Sequence, residues 1–184
     1  MRLAGGQSRG IAVVAFAAWS GTGKTTVLEG VIRHLAGQGL RVAVLKHDAH
    51  GLDLDRKGKD TWRFARAGAA ITAASGPGGS VVMERREWPL LEALGHIRNV
   101  DLILVEGYKD VPLTQIGLCR AATGKGFTAP LERFAAIVTD LEEIQASVPV
   151  FAFRDTDKIA GFLLNNLNSF THFYNGAIEE KTAL

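Results

Sequence analysis

The sequence predicts an α/β fold, a mostly parallel twisted sheet with helices on both faces, and three observations carry that prediction. Ile11–Ala17 (IAVVAFA) and Leu102–Val105 are continuously apolar runs rich in β-branched residues, as expected of strands covered on both sides. Segments of helical apolar spacing alternate with such runs, the order that produces parallel sheets with crossover helices. Polar residues collect at the C-terminal ends of the strands, where ligands sit in this class.

The elements follow in order. After the first strand, Val27, Leu28, Val31, Ile32 and Leu35 recur at helical spacing with Glu29 and Arg33 opposite, and Gly37 and Gly39 stop that helix. Arg41–His47 is a second strand that turns polar at its end. Asp48–Lys59 is a polar, glycine-punctuated loop, and a short helix follows near Thr61–Ala67. Ile71–Ser75 and Val81–Met83 are modest strands joined by a turn at Gly76–Gly79. Leu90, Leu91, Leu94 and Ile97 mark a further helix. Ile116–Cys119, Ala135–Val138 and Val150–Phe153 are short strands, and Ile159, Phe162, Leu163, Leu167 and Phe170 form the stripe of a last helix. The expected organisation is one domain over 11–174, with a flexible extension at 1–10 and a loosely ordered tail at 175–184.

With 184 residues and 47% hydrophobic content the chain can bury a full core. A net charge of +2 lacks the clustered basic excess that nucleic acid or a membrane surface would call for. The apolar run Ile11–Trp19 has about half the length needed to cross a bilayer, and it reads as a core strand. Cys119 is the single cysteine, which rules out an intrachain disulfide and fits a reducing, cytoplasmic setting. It follows apolar residues and reads as a packing residue.

Ala18-Trp19-Ser20-Gly21-Thr22-Gly23-Lys24-Thr25 matches the phosphate-loop (Walker A) pattern with alanine in place of the first glycine. The motif requires a buried strand before it and an amphipathic helix after it, and both are present. Gly21 and Gly23 let the backbone curl so that successive N–H groups surround a phosphate, and the helix start adds its positive dipole end. Lys24 can reach β- and γ-phosphate oxygens, and the Thr25 hydroxyl can bind Mg²⁺. The bland alternative is a strand–turn–helix whose glycines serve only the turn.

A second acidic position lies at the end of Val100-Asp101-Leu102-Ile103-Leu104-Val105-Glu106-Gly107. A carboxylate there sits beside the loop, so Glu106 is a candidate for Mg²⁺, or else a cap for a turn with Gly107. Asp101 falls at the opposite end of the sheet. Lys46, His47, Asp48 and His50 cluster after the second strand. They suit phosphate or partner contacts, a solvated loop or a transition-metal site, and Asp48 is the candidate for orienting a water. The charged run Asp53, Asp55, Lys57, Lys59 and Asp60 is a solvated loop or a substrate contact. Arg63 and Arg66 face either one anion or solvent.

Phe16–Thr26 resembles the opening of the molybdopterin-guanine dinucleotide biosynthesis protein B family (MobB). Leu45-Lys46-His47, Gly58-Lys59-Asp60-Thr61, Arg66-Ala67-Gly68-Ala69 and Asp101–Lys109 agree with it in order, over about Ile11–Val150. The resemblance implies a P-loop NTPase-like fold and a GTP-binding homodimer with slow GTP hydrolysis. Its partners would be the guanylyltransferase that attaches GMP to molybdopterin and the molybdoenzymes that receive the cofactor. Carried over by motif, Ser20, Gly21, Thr22, Gly23, Lys24, Thr25 and Thr26 hold the nucleotide, Lys46, His47 and Lys109 border it, and Thr25 and Glu106 serve Mg²⁺. Trp19 is a further candidate for nucleotide binding, and Lys24, Asp48 and Glu106 are the candidates for catalysis. From about Thr123 onward the match weakens, and no Asn-Lys-x-Asp motif separates GTP from ATP. Thr139-Asp140 and Arg154–Asp157 are the candidates for reading the base. The competing functions are a P-loop small-molecule kinase, with Arg63, Arg66, Arg85 and Arg86 supplying charge, and a non-enzymatic nucleotide-sensing regulator.

Overall fold

The computed structural model describes residues 10–48, 51, 55–108 and 111–179. Along the chain the elements are β1 (Ile11–Ala17), α1 (Lys24–Gly37), β2 (Val42–Lys46), α2 (Asp60–Arg66), β3 (Ile71–Gly76), β4 (Gly79–Glu84), α3 (Leu90–Gly95), β5 (Leu102–Glu106), β6 (Thr114–Cys119), β7 (Ala136–Thr139), β8 (Val150–Phe151), α4 (Thr156–Asn165), β9 (Thr171–Tyr174) and β10 (Ala177–Glu179). By their contacts the described residues group into two compact units, 10–47 with 90–179, and 48–89.

In the larger unit six parallel strands lie in the order β2-β5-β1-β6-β7-β8. Alternate residues of the central strands serve opposite faces, as the period of two dictates. Ala12, Val14 and Phe16 join Leu102 and Leu104 in a layer covered by α1 and α4, through Val27, Leu28, Val31, Leu35, Ile159 and Leu163. Val13, Ala15, Ile103 and Val105 pack on the other side with Leu94 of α3, Leu113 and Phe173. The central strands β1 and β5 are thus lined by apolar side chains on both faces, and their polar residue lies at the strand end, at Glu106.

Glycine sets how closely α1 and α4 approach. A Cβ at Gly30 would stand 2.6 Å from Thr156 Cγ2 and 2.8 Å from its Cβ and Oγ1. Alanine is worth about 1 kcal/mol more than glycine inside a helix, whereas overpacking costs about 1–3 kcal/mol. Gly30→Ala is therefore expected to lower stability despite its better propensity, and a second change, Thr156→Ala, to recover part of the loss in denaturant unfolding.

The C-terminal region departs from the expected pattern. The last helix stops at Asn165, and a 3-10 turn at Leu167–Ser169 follows. Phe170 reaches the core from outside the helix, 6.1 Å from the Phe162 ring. The chain then turns back as β9, antiparallel to Ile11–Val13, so β9 and β6 flank successive halves of the same edge of β1. Where they meet, Thr114 and Thr171 exchange amide-to-hydroxyl bonds of 2.9 and 3.0 Å. Of the segment expected to be a loose tail, Ala177–Glu179 pairs with β9 as β10, and 180–184 lies outside the described residues. Of the extension, only Gly10 is described. A Cβ there would come within 3.0 Å of the Phe173 carbonyl.

The Val150–Phe153 strand is shorter than expected, ending at Phe151 because Asp155 closes a turn onto Ala152 N at 3.1 Å. That amide bond holds the Asp155 carboxyl below its ordinary value, against opposing desolvation and with Lys158 and Arg154 assisting. A depressed carboxyl contributes stability above its unfolded pKa and loses it as pH falls through the folded value. Asp155→Asn is accordingly expected to flatten the acid side of the stability–pH curve below about pH 4, measured by thermal melts.

The smaller unit carries α2 and the antiparallel hairpin β3–β4, closed by the two-residue loop Pro77-Gly78 and the Ser75–Ser80 hydroxyl pair at 2.7 Å. Arg63 lies 3.7 Å from Asp60, and Arg66 sits over the Trp62 ring. Ala65 and Thr72 are buried, while Phe64, Ile71, Val81 and Val82 are exposed.

Candidate functional site: a phosphate loop at the end of β1

β1 delivers the chain to Ala18 at the C-terminal edge of the sheet, and α1 leaves from Lys24. Between them Gly21 and Gly23 have φ of 82° and 92°, the left-handed region that only glycine enters without strain. Thr22 is 2% exposed and folds back on the loop, its Oγ1 donating to the Trp19 carbonyl at 2.8 Å. Trp19, Ser20 and Gly21 are exposed, as are Thr25 and Thr26 on the first turn of α1.

The start of α1 has the features of an anion seat. Its N-cap is Gly23, which brings no side chain to cap the first amides, and no acidic residue lies in its first turn. The orphan N–H groups and the positive end of the dipole are left for a ligand.

Glu106 reaches the same place from β5. Its backbone pairs with Phe16 on one side and Lys46 on the other. Its Oε1 lies 3.0 Å from Lys24 Nζ, with the two side chains 13% and 15% exposed. The lysine and the carboxylate thus neutralise each other at the mouth of the loop. Asp101 lies at the far end of β5, as expected, where Oδ2 accepts from Arg41 N at 2.7 Å.

Gly107, with φ 100°, lets the chain turn directly after Glu106, and a Cβ there would collide with the His47 carbonyl oxygen. His47 N donates to Glu106 O at 2.8 Å, and the His47 and Tyr108 rings lie 4.6 Å apart. The structure therefore gathers Trp19–Thr26, Lys24, Glu106, Lys46 and His47 at one sheet edge. Asp48 begins the other unit, and Lys109, His50 and Asp53 lie outside the described residues. Among the described residues no three His, Cys, Asp or Glu side chains group as metal ligands, and no helix is long and apolar enough to cross a membrane. A hydroxyl at Thr25 and a carboxylate at Glu106 are hard oxygen donors, few in number. That set fits Mg²⁺, which keeps most of its waters and takes further oxygens from phosphates.

Sequence reasoning missed the neighbours on the opposite flank. Arg120, directly after β6, donates from Nε to the Thr22 carbonyl at 2.8 Å and stacks 3.9 Å from the centre of the Phe153 ring. Lys125 Nζ lies 5.6 Å from the centre of the Trp19 ring. The signal was present, a polar residue ending an apolar strand as Glu106 does. Asp140 Oδ1 accepts from Ala121 N at 2.7 Å and Thr139 Oγ1 from Leu141 N at 3.1 Å, so both shape turns at the ends of β6 and β7. Cys119 is buried, its thiol donating to the Lys125 carbonyl at 3.2 Å. Burial, and then the nearby Asp140 charge, push its pKa up, which suits packing and not nucleophilic chemistry.

Residues 13–140 match the family model for molybdopterin guanine dinucleotide synthesis protein B. The chain is 32% identical over 161 residues to the molybdopterin-guanine dinucleotide biosynthesis adapter protein of Escherichia coli K12, covering 84% of this chain and 92% of that one. The Haemophilus influenzae adapter protein is 30% identical over 171 residues, covering 91% and 93%. Among solved structures, Bacillus subtilis MobB superposes with a TM-score of 0.68 at 27% identity, over 84% of this chain and 97% of that one. A MobB homologue from Bacillus stearothermophilus gives 0.63 at 26% identity, over 85% and 97%. A parallel sheet flanked by helices, a phosphate loop after its central strand and these likenesses agree: the chain belongs to the molybdopterin guanine dinucleotide synthesis protein B (MobB) family, with its P-loop NTPase-like fold.

Proposed function

We propose that the protein is a GTP-binding adapter in molybdenum cofactor biosynthesis, with slow GTP hydrolysis, that assists formation or delivery of molybdopterin guanine dinucleotide. It works as a homodimer in the cytoplasm, beside the guanylyltransferase and the molybdoenzymes that take the cofactor. The adapter role rests on the names its relatives carry. The nucleotide role is carried by one observation, the uncapped start of α1 behind two left-handed glycines, with Lys24 and Glu106 converging on it.

On this reading the loop amides receive the phosphates and Lys24 exchanges Glu106 for the β- and γ-oxygens. Freed of the lysine, Glu106 would join the Thr25 hydroxyl in holding Mg²⁺, which would supply charge neutralisation at the phosphates. Slow hydrolysis agrees with the commitment of Arg120, the arginine seated against the loop, to the Thr22 carbonyl and the Phe153 ring. Calorimetry with Mg²⁺-GTP and Mg²⁺-ATP tests the proposal. Binding of GTP in preference to ATP is the expected result. Tight ATP binding without GTP binding removes the GTP assignment, and binding of neither removes the nucleotide role.

A further inference from the structure

Arg120 is fixed from several sides although nothing in the nucleotide reading requires it. Its Nε donates to the Thr22 carbonyl at 2.8 Å, and its Cζ lies over the Phe153 ring, just past β8, 3.9 Å from the ring centre. Its own carbonyl accepts from Thr123 N and Oγ1 at 3.0 and 2.8 Å, and the next amide, Ala121 N, is held by Asp140. Three strand ends, those of β6, β7 and β8, are thereby tied to one peptide of the phosphate loop. A Cβ at Gly23 would stand 3.0 Å from an Arg120 Nη, so glycine there makes room for the arginine as well as for the left-handed turn.

Which peptide is tied matters. Across a trans peptide the C=O and N–H bonds point in opposite directions. A Thr22 carbonyl drawn out to Arg120 therefore sends the Gly23 N–H the other way. The Trp19 carbonyl, bonded to Thr22 Oγ1 at 2.8 Å, sets the Ser20 N–H by the same rule. Both orientations exist before any ligand arrives, and donors held in advance cost no reorganisation when an anion enters.

We propose that Arg120 is a positioning residue for the phosphate seat: by holding the Thr22 carbonyl outward it keeps the Gly23 amide turned into the loop. The inference takes its ligand from the nucleotide reading above, while its statement about the loop stands apart from it.

Three variants of the full chain, R120Q, R120K and F153L, test it with two readouts. The first is calorimetric affinity for Mg²⁺-GTP and Mg²⁺-GDP. The second is amide hydrogen exchange of the loop peptide spanning 18–24 without nucleotide. R120Q is expected to weaken both nucleotides about tenfold or more and to speed exchange in the loop while α4 and β9 stay protected. R120K, which keeps a charged donor, is expected to restore most of the affinity. F153L, which removes the stacking plane and leaves the donor, is expected to fall between R120Q and the parent, and it decides the matter should R120Q fail to fold. R120Q binding within twofold of the parent, or loop exchange unchanged in R120Q and F153L, overturns the assignment. A parent that binds neither nucleotide sinks the nucleotide reading, and the exchange result then decides the Arg120 assignment alone.

Discussion

Replacing Lys24 with alanine is expected to weaken GTP binding at least about a hundredfold, since it removes the ammonium group that the phosphate-loop motif directs at the terminal phosphates. The same change should also lower the stability of the nucleotide-free protein by about 1–3 kcal/mol, because Glu106 is left 13% exposed with its cation gone. The two effects separate in the double variant K24M/E106Q. It removes both charges and should regain most of the lost stability without regaining nucleotide affinity. The single variant E106Q gives a sharper signature. Lys24 is then released from its partner, so GTP should bind more tightly than to the parent in EDTA and more weakly than to the parent in Mg²⁺. Calorimetry in the two buffers reads the sign directly. An E106Q protein that shifts the same way in both would mean that the 3.0 Å pair does not compete with phosphate.

How much of this was legible in the sequence follows from where each signal is encoded. β1, α1 and β5 carry their own evidence, an unbroken apolar run or a helical stripe bounded by glycine, and the observed ends fall within a residue or so of those expected. The loop was legible because its chemistry is contiguous. Glu106 was legible because a lone carboxylate ends a buried strand. β9 and β10 were not, since Thr171–Tyr174 mixes polar and aromatic residues and becomes a strand only by pairing with the first half of β1. Phe170 extended the apparent helical stripe because periodicity does not see the Asn165-Asn166 stop or the 3-10 turn after it. The grouping into two units follows from which contacts form, and the polar loop that begins at Asp48 does not by itself mark it. Arg120 and Phe153 meet across a long sequence interval, and only the sheet order brings their strand ends together.

Gly107→Ala is expected to be the most damaging small substitution at the site. Two costs fall on one methyl group. At φ 100° an L-residue is strained, and the new Cβ would meet the His47 carbonyl, which is backbone and has no rotamer to escape into. The gain from a less flexible unfolded chain is below about 1 kcal/mol and offsets little. A net loss of about 2–4 kcal/mol is expected, seen as a fall in Tm of roughly 4–16 °C. Gly39 supplies the control, because it has φ 85° but nothing within 4 Å of an added Cβ. Gly39→Ala should therefore show the conformational cost alone, about 1 kcal/mol. The difference between the two variants measures the collision between the ends of β2 and β5. That collision has a functional consequence, since His47 N bonds Glu106 O at 2.8 Å and any shift of the His47 carbonyl drags the carboxylate with it. Gly107→Ala should thus weaken the Mg²⁺ contribution to GTP binding more than GTP binding in EDTA. Equal losses in both buffers, or a melting temperature no lower than that of Gly39→Ala, would show that the turn after β5 yields without moving Glu106.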